Sequence, residues 1–172
     1  MQETKMSKIK KNGLFPFCAG LLLIGLGTMA CDQAPKESPD VTLKDYGSES
    51  TVLNIEAYTL SNSNFRTVLW TGKFLQATLM AIPVGGDVGL EQHPDTDQFL
   101  RIEDGVAEVL MGDTENSLTF TQTASKDFAI FVPAGKWHNI TNTGDVPLKL
   151  YSIYAPAEHP HGTVHRTQAD SD

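Results

Sequence analysis

Cysteine is almost missing from this chain: its 172 residues hold two, Cys18 and Cys31. Both sit near the N-terminus. If the opening segment is removed as argued below, Cys31 stands alone, so no disulfide framework supports the body. Basic clusters are equally scarce. Lys and Arg total 13 against 21 acids, the formal charge is -8, and only the extreme N-terminus gathers lysines. Binding phosphate backbones requires such clusters, which excludes nucleic acid as a partner. No segment sustains a 3.6-residue period over four turns, and that argues against a helical or alternating α/β architecture. There is no glycine-rich phosphate loop, no dinucleotide fingerprint, no nucleophile triad and no internal repeat.

What the sequence does have begins with a leader. "MQETKMSKIKKNGLFPFCAGLLLIGLGTMAC" carries Lys5, Lys8, Lys10 and Lys11, then an apolar run from about Leu14 to Ala30, then Cys31. A basic start, an apolar stretch and a small residue at the cut are the anatomy of a secretory signal over residues 1–30. A retained anchor is the alternative, since the run lies near the lower limit for a spanning helix. Thr28-Met29-Ala30-Cys31 resembles a bacterial lipoprotein signal, which implies Cys31 as a lipidated mature N-terminus. The expectation is an exported protein, periplasmic or on the cell surface, meeting the membrane only through that lipid. Residues 31–50, rich in Pro, Ser and acids, read as a flexible tether.

The folded domain is expected over residues 51–157. Short apolar or alternating runs follow one another: "TVLNIEAYTL", "RTVLW", "KFLQATLMAI", "QFLRI", "VAEVLMG", "SLTFTQT", "FAIFVPAG", "HNITNTG" and "LKLYSIYA". Gly, Asn and Asp turns separate them. Eight or more strands in just over a hundred residues predict an all-β, antiparallel sandwich or barrel. A tail over residues 158–172 adds His159, His161 and His165, read as exposed, with a cap over a pocket or a second metal site as alternatives.

Polar groups concentrate in "GLEQHPDTDQFLRIEDG". Glu91 and His93, two apart in a strand, leave the same face. After the Pro94-Asp95-Thr96 turn, Gln98 shares the inward face of the next run with Leu100 and Ile102. Asp97 competes with Gln98 for the same role. Forty residues later "VPAGKWHNITN" supplies His138. Two imidazoles, a carboxylate and an amide oxygen suit a divalent transition metal, with positions left for water or substrate.

These residues carry a resemblance to the cupins. Gly85, Glu91, His93, Gln98 and Gly105 keep every spacing of the family's first motif, and Asp127, Pro133, Gly135, His138 and Asn142 keep those of the second. Glu91 stands where a histidine is usual, Gln98 where a glutamate is, and Asp127 where a glycine is. The resemblance implies a single-domain cupin-type jelly-roll β-barrel with Glu91, His93, Gln98 and His138 as metal ligands. It leaves iron, manganese, zinc and nickel undistinguished. Similarity to small single-domain cupins, some of them like mannose-6-phosphate isomerase, implies a small polar ligand or substrate such as a sugar derivative, with isomerase-like proton transfer as first reading. An iron-dependent dioxygenase and a non-catalytic ligand-binding domain are the alternatives. Isomerisation needs a base besides the ligands, for which Lys136 and His161 are candidates. Trp137 and Phe99 read as barrel packing, and the resemblance implies a homodimer, since cupins often pair through sheet edges.

Overall fold

The structure is a computed structural model that describes residues 40–171. The expected leader, Cys31 and the first part of the tether lie outside the described residues. Strands β1 (Arg66–Thr71), β2 (Gln76–Ile82), β3 (Asp97–Asp104), β4 (Val106–Gly112), β5 (Phe120–Ser125), β6 (Ala129–Val132), β7 (Trp137–Asn142), β8 (Leu148–Ala155) and β9 (Val164–His165) build two antiparallel sheets. One has the order β6-β3-β8-β2-β1-β9, the other β5-β4-β7. This is the all-β jelly-roll barrel that the strand spacing and motifs led to expect.

Strand alternation puts the core inside. Along β8, Leu148, Leu150, Ser152 and Tyr154 are buried while Lys149, Tyr151 and Ile153 are only partly so. Opposite them, Ile102, Leu100 and Gln98 of β3 and Ile82, Met80, Thr78 and Gln76 of β2 stand in register. Cross-strand partners point to the same face, so the barrel has an apolar end built from the leucines, isoleucines and Met80. The other end is polar: Gln76, Thr78, Gln98, Ser152 and Tyr154. That gradient decides where chemistry can happen.

Glu91 and His93 were expected in a strand. The segment 85–91 runs instead as an irregular ribbon beside β7, hydrogen-bonded through Gly85 N to Asn142 O, Val88 N to Ile140 O, and Glu91 N to His138 O. Gly85 takes a left-handed backbone (φ 74°) at the turn into this ribbon, a conformation that costs a residue with a Cβ.

Three segments depart from the sequence reading. "TVLNIEAYTL", read as a strand, contains the helix α1 (Ile55–Ser61); the Asn54 side chain caps it by accepting from Ala57 N at 3.1 Å, and Glu56 sits favourably in the first turn. The helix covers the outer face of the large sheet, where Tyr58 packs with Leu69 and Leu79. The tether does not extend to residue 50. Val41, Leu43 and Tyr46 pack on that same outer cluster, Tyr46 N bonds Leu69 O at 2.8 Å, and Asp45 accepts from Thr71 and from Gly162 N. Three apolar side chains spaced among polar ones were enough to dock it. The tail is no loose end either: Val164 and His165 add a strand to the edge of β1, and Gln168 bonds Asp87 across the molecule.

Candidate metal centre

Glu91 and His138 face each other across the ribbon and exchange both backbone hydrogen bonds, at 3.0 and 2.9 Å. Their side chains therefore leave on one side. His93 follows two residues later, its carbonyl fixed by Gly135 N at 2.8 Å. The left-handed Gly135 (φ 77°) in the Pro133-Ala134-Gly135 turn thus holds one histidine as it delivers the other. Donor atoms of Glu91, His93 and His138 lie within 4.8 Å of one another. Glu91 Oε1 is 3.3 Å from Nε2 of each histidine. Donor atoms bound to one ion at about 2.0–2.2 Å are spaced by roughly 3.0–3.4 Å at tetrahedral or octahedral edges.

The protons settle whether these residues suit a cation. His138 Nδ1 lies 3.0 Å from the Lys136 carbonyl, which can only accept, so Nδ1 carries the proton. His93 Nδ1 lies 3.2 Å from Glu158 Oε1, an acceptor again. In the neutral rings both Nε2 atoms then hold bare lone pairs turned toward a carboxylate oxygen. Both are buried and without a hydrogen-bond partner. Three electron-pair donors facing one point repel unless a proton or a metal ion lies between them. A histidine backed by a carboxylate or a carbonyl is the usual second support of a metal ligand. The Glu/His/His cluster is compatible with a divalent metal ion.

With no ion bound, that positive charge would be a proton on the histidines, and the electrostatics show how strongly the cluster favours it. Burial would raise the Glu91 carboxyl, yet the two imidazoles hold it down to about 2. Burial would lower His93, but Glu91 and Glu158 raise it above the ordinary imidazole value.

Gln98 is buried on β3; its Nε2 donates to Ser152 Oγ at 3.0 Å, leaving Oε1 buried and unpartnered. Asp97, its rival, is exposed and spends an oxygen on Ala134 N at 2.8 Å. The two proposed bases lie away from the cluster: the Lys136 ammonium pairs with Asp113 and His161 with Asp45, both on the surface. Phe99 packs outside the sheet against Phe131 and Tyr151.

Sequence reasoning missed two residues. Glu158, from the tail, supports His93 and accepts from Thr96 as well. Tyr154 packs edge-on against His93 with ring centroids 5.5 Å apart, and His159 stacks edge-on over Tyr154 at 5.1 Å. Tyr154 was legible as the last inward position of β8. Nothing local announced Glu158.

Comparison with known proteins places this geometry. Residues 78–154 match the family described as Cupin domain. The chain is 56% identical over 135 residues to the uncharacterized protein YrkC of Bacillus subtilis, covering 78% of this chain and 73% of that one. It is 41% identical over 117 residues to the uncharacterized protein L612 of Acanthamoeba polyphaga mimivirus, covering 66% and 69%. The crystal structure of BH2720 from Bacillus halodurans is similar with a TM-score of 0.74 and 55% identity, over 74% of this chain and 97% of that one.

Proposed function

Because the chain belongs to the cupin superfamily, we propose that it holds a divalent metal through Glu91, His93 and His138, with Gln98 Oε1 as a fourth donor. With it, the protein binds and acts on a small polar metabolite. One observation carries this reading: two imidazoles, each with Nδ1 engaged by an acceptor, turn unpartnered Nε2 atoms at the same Glu91 oxygen. When bound, such an ion would polarise a carbonyl or hydroxyl of the ligand.

The chain's own residues would do the rest. Glu158 and the Lys136 carbonyl orient the two rings. Ser152 fixes the Gln98 amide so that its oxygen points away from the Nε2 hydrogen bond. For proton transfer, His159 replaces Lys136 and His161 as the candidate acceptor. Burial and then the charge of Arg66 push its imidazole down to about 4, so the ring is neutral at pH 7, and its buried Nε2 has no partner. A neutral imidazole near the cluster is one element that isomerase-like proton transfer would need. With the leader reading, the domain would work at the cell envelope.

Elemental analysis of the purified protein tests the reading: about one divalent ion per chain is expected, lost in the His93→Ala, His138→Ala double variant. Full metal content in that variant would refute the assignment, and iron would shift the chemistry toward oxygen.

A further inference from the structure

Resting on that metal-centre reading, we propose that Arg66 forms an anion subsite beside it, so that the ligand is a small metabolite bearing a carboxylate or phosphate group. Arg66 opens β1 and is only 4% exposed. Its Cα partner on β2 is Met80, a member of the inner core, so the arginine side chain leaves the strand on the barrel's inner side. Among the described residues it takes part in no ion pair and no side-chain hydrogen bond, and its Nε is buried without a partner. Its guanidinium carbon lies 5.5 Å from the centroid of the Phe65 ring. A buried charge is ordinarily paired, because desolvation is costly without a counter-ion.

What surrounds Arg66 is also unsatisfied. Nine buried side-chain atoms among the described residues lack hydrogen-bond partners, and eight of them come from Arg66, Thr78, His93, Gln98, His138, Tyr154, His159 and His165. Native interiors rarely leave such groups unpaired; here Thr78, Gln98 and Tyr154 belong to the polar end of the barrel, and Arg66 and His165 start beside it, at the level of Met80. Thr78 stands diagonal to Arg66 on β2, and His165 is its partner on β9. Ring contacts carry Tyr154 and His159 to the metal centre: His138 to His93 at 5.5 Å, His93 to Tyr154 at 5.5 Å, Tyr154 to His159 at 5.1 Å. The positive charge of Arg66 and the negative charge of Glu91 both reach Tyr154 and His159.

The Tyr154 hydroxyl, the Thr78 hydroxyl and the Arg66 guanidinium are donors that an anionic oxygen would satisfy together. A neutral sugar would leave the arginine unpaired. A ligand with one oxygen at the metal centre and an anionic group on Arg66 satisfies both ends.

The test is calorimetric titration of metal-loaded full-length protein with sodium acetate and, separately, inorganic phosphate, using wild type, Arg66→Gln and Tyr154→Phe. At least one anion should bind wild type. Its affinity should fall about tenfold or more in Arg66→Gln and by a smaller factor in Tyr154→Phe, with metal content unchanged in both. Acetate binding assigns a carboxylate ligand, phosphate binding a phosphorylated one, and either supports the subsite. Equal affinities in all three proteins, or no binding of either anion by wild type, would overturn it. If Arg66→Gln does not fold, Tyr154→Phe decides alone, and wild-type affinity there counts against the subsite. Repeating the titrations on chelator-treated protein separates the two readings. Arg66-dependent binding by a chain that never takes up metal keeps the anion subsite and removes the metal centre; metal uptake with Arg66-independent binding does the reverse.

Discussion

At the scale of single residues, the support behind a ligand matters as much as the ligand. Glu158 holds the His93 ring in the tautomer that frees Nε2. Glu158→Gln should weaken metal binding by about 10–100-fold without removing a ligand, as measured by competition with a chromogenic chelator; an unchanged affinity would detach Glu158 from the centre. Much of this was readable beforehand. The convergence of Glu91, His93 and His138 was legible because strand alternation and motif spacing are local, and the inward face of Gln98 because it shares parity with Leu100 and Ile102. The choice over Asp97 became physical only when the structure showed Asp97 committed to Ala134 N. Glu158 and Arg66 were not legible: each acts through residues far away in sequence, and a lone acid or a lone arginine at a strand's edge looks like a solvated side chain. Asp127 is a middle case. It adopts a left-handed backbone (φ 71°) where the family pattern has glycine, and its carboxylate reaches Arg101 at 2.6 Å; a short polar side chain tolerates that conformation better than most.

At the scale of elements, turns and docked segments set the geometry. Gly105 joins β3 to β4 with φ 90°, and a Cβ there would lie 3.0 Å from Leu148 Cα and 3.3 Å from Pro147 O. Gly105→Ala should therefore lower stability by about 1–3 kcal/mol, read from urea unfolding. The docked N-terminal stretch depends on Asp45. Burial works to raise that carboxyl, but hydrogen bonds from Thr71, Gly162 and Gly47, with His161 nearby, outweigh it and hold the group below the ordinary value. With a folded pKa below the unfolded one, the unfolded chain binds the proton more readily. The contribution is thus complete above the unfolded carboxylate value near 3.8 and fades as pH falls through the folded one. Asp45→Asn should cost about 1 kcal/mol at pH 7, and the gap from wild type should close in acid; a gap that persists at low pH would point to packing instead. Element types were mostly legible, since alternating runs between Gly and Asn turns became strands. Helix α1 was not: its apolar residues serve a shallow outer face rather than a long stripe, so its seven residues never show a clear period.

At the scale of the whole molecule, the barrel is closed by the segment that follows β8. Gln76 accepts from the Glu158 and His159 amides and donates to the His159 carbonyl, Phe65 N bonds Arg166 O, and Val164 pairs with Thr67. Ending the chain at Ala157 should destabilise the domain by about 2–4 kcal/mol, because it strands buried polar groups, and should weaken metal binding more than Glu158→Gln does. Conversely, a divalent ion at a hundredfold excess over its Kd should stabilise the full chain by about 2.7 kcal/mol, seen as a higher Tm that EDTA reverses. The barrel itself could be inferred from strand count and two spaced motifs. Its closure could not, since a His-rich, Pro-containing tail has no periodicity to betray a return to the core. That return also ties distant parts of the chain into one site: Glu158 follows every candidate metal-holding residue in the sequence, so the His93 ring gains its backing only once this segment has folded back onto the barrel.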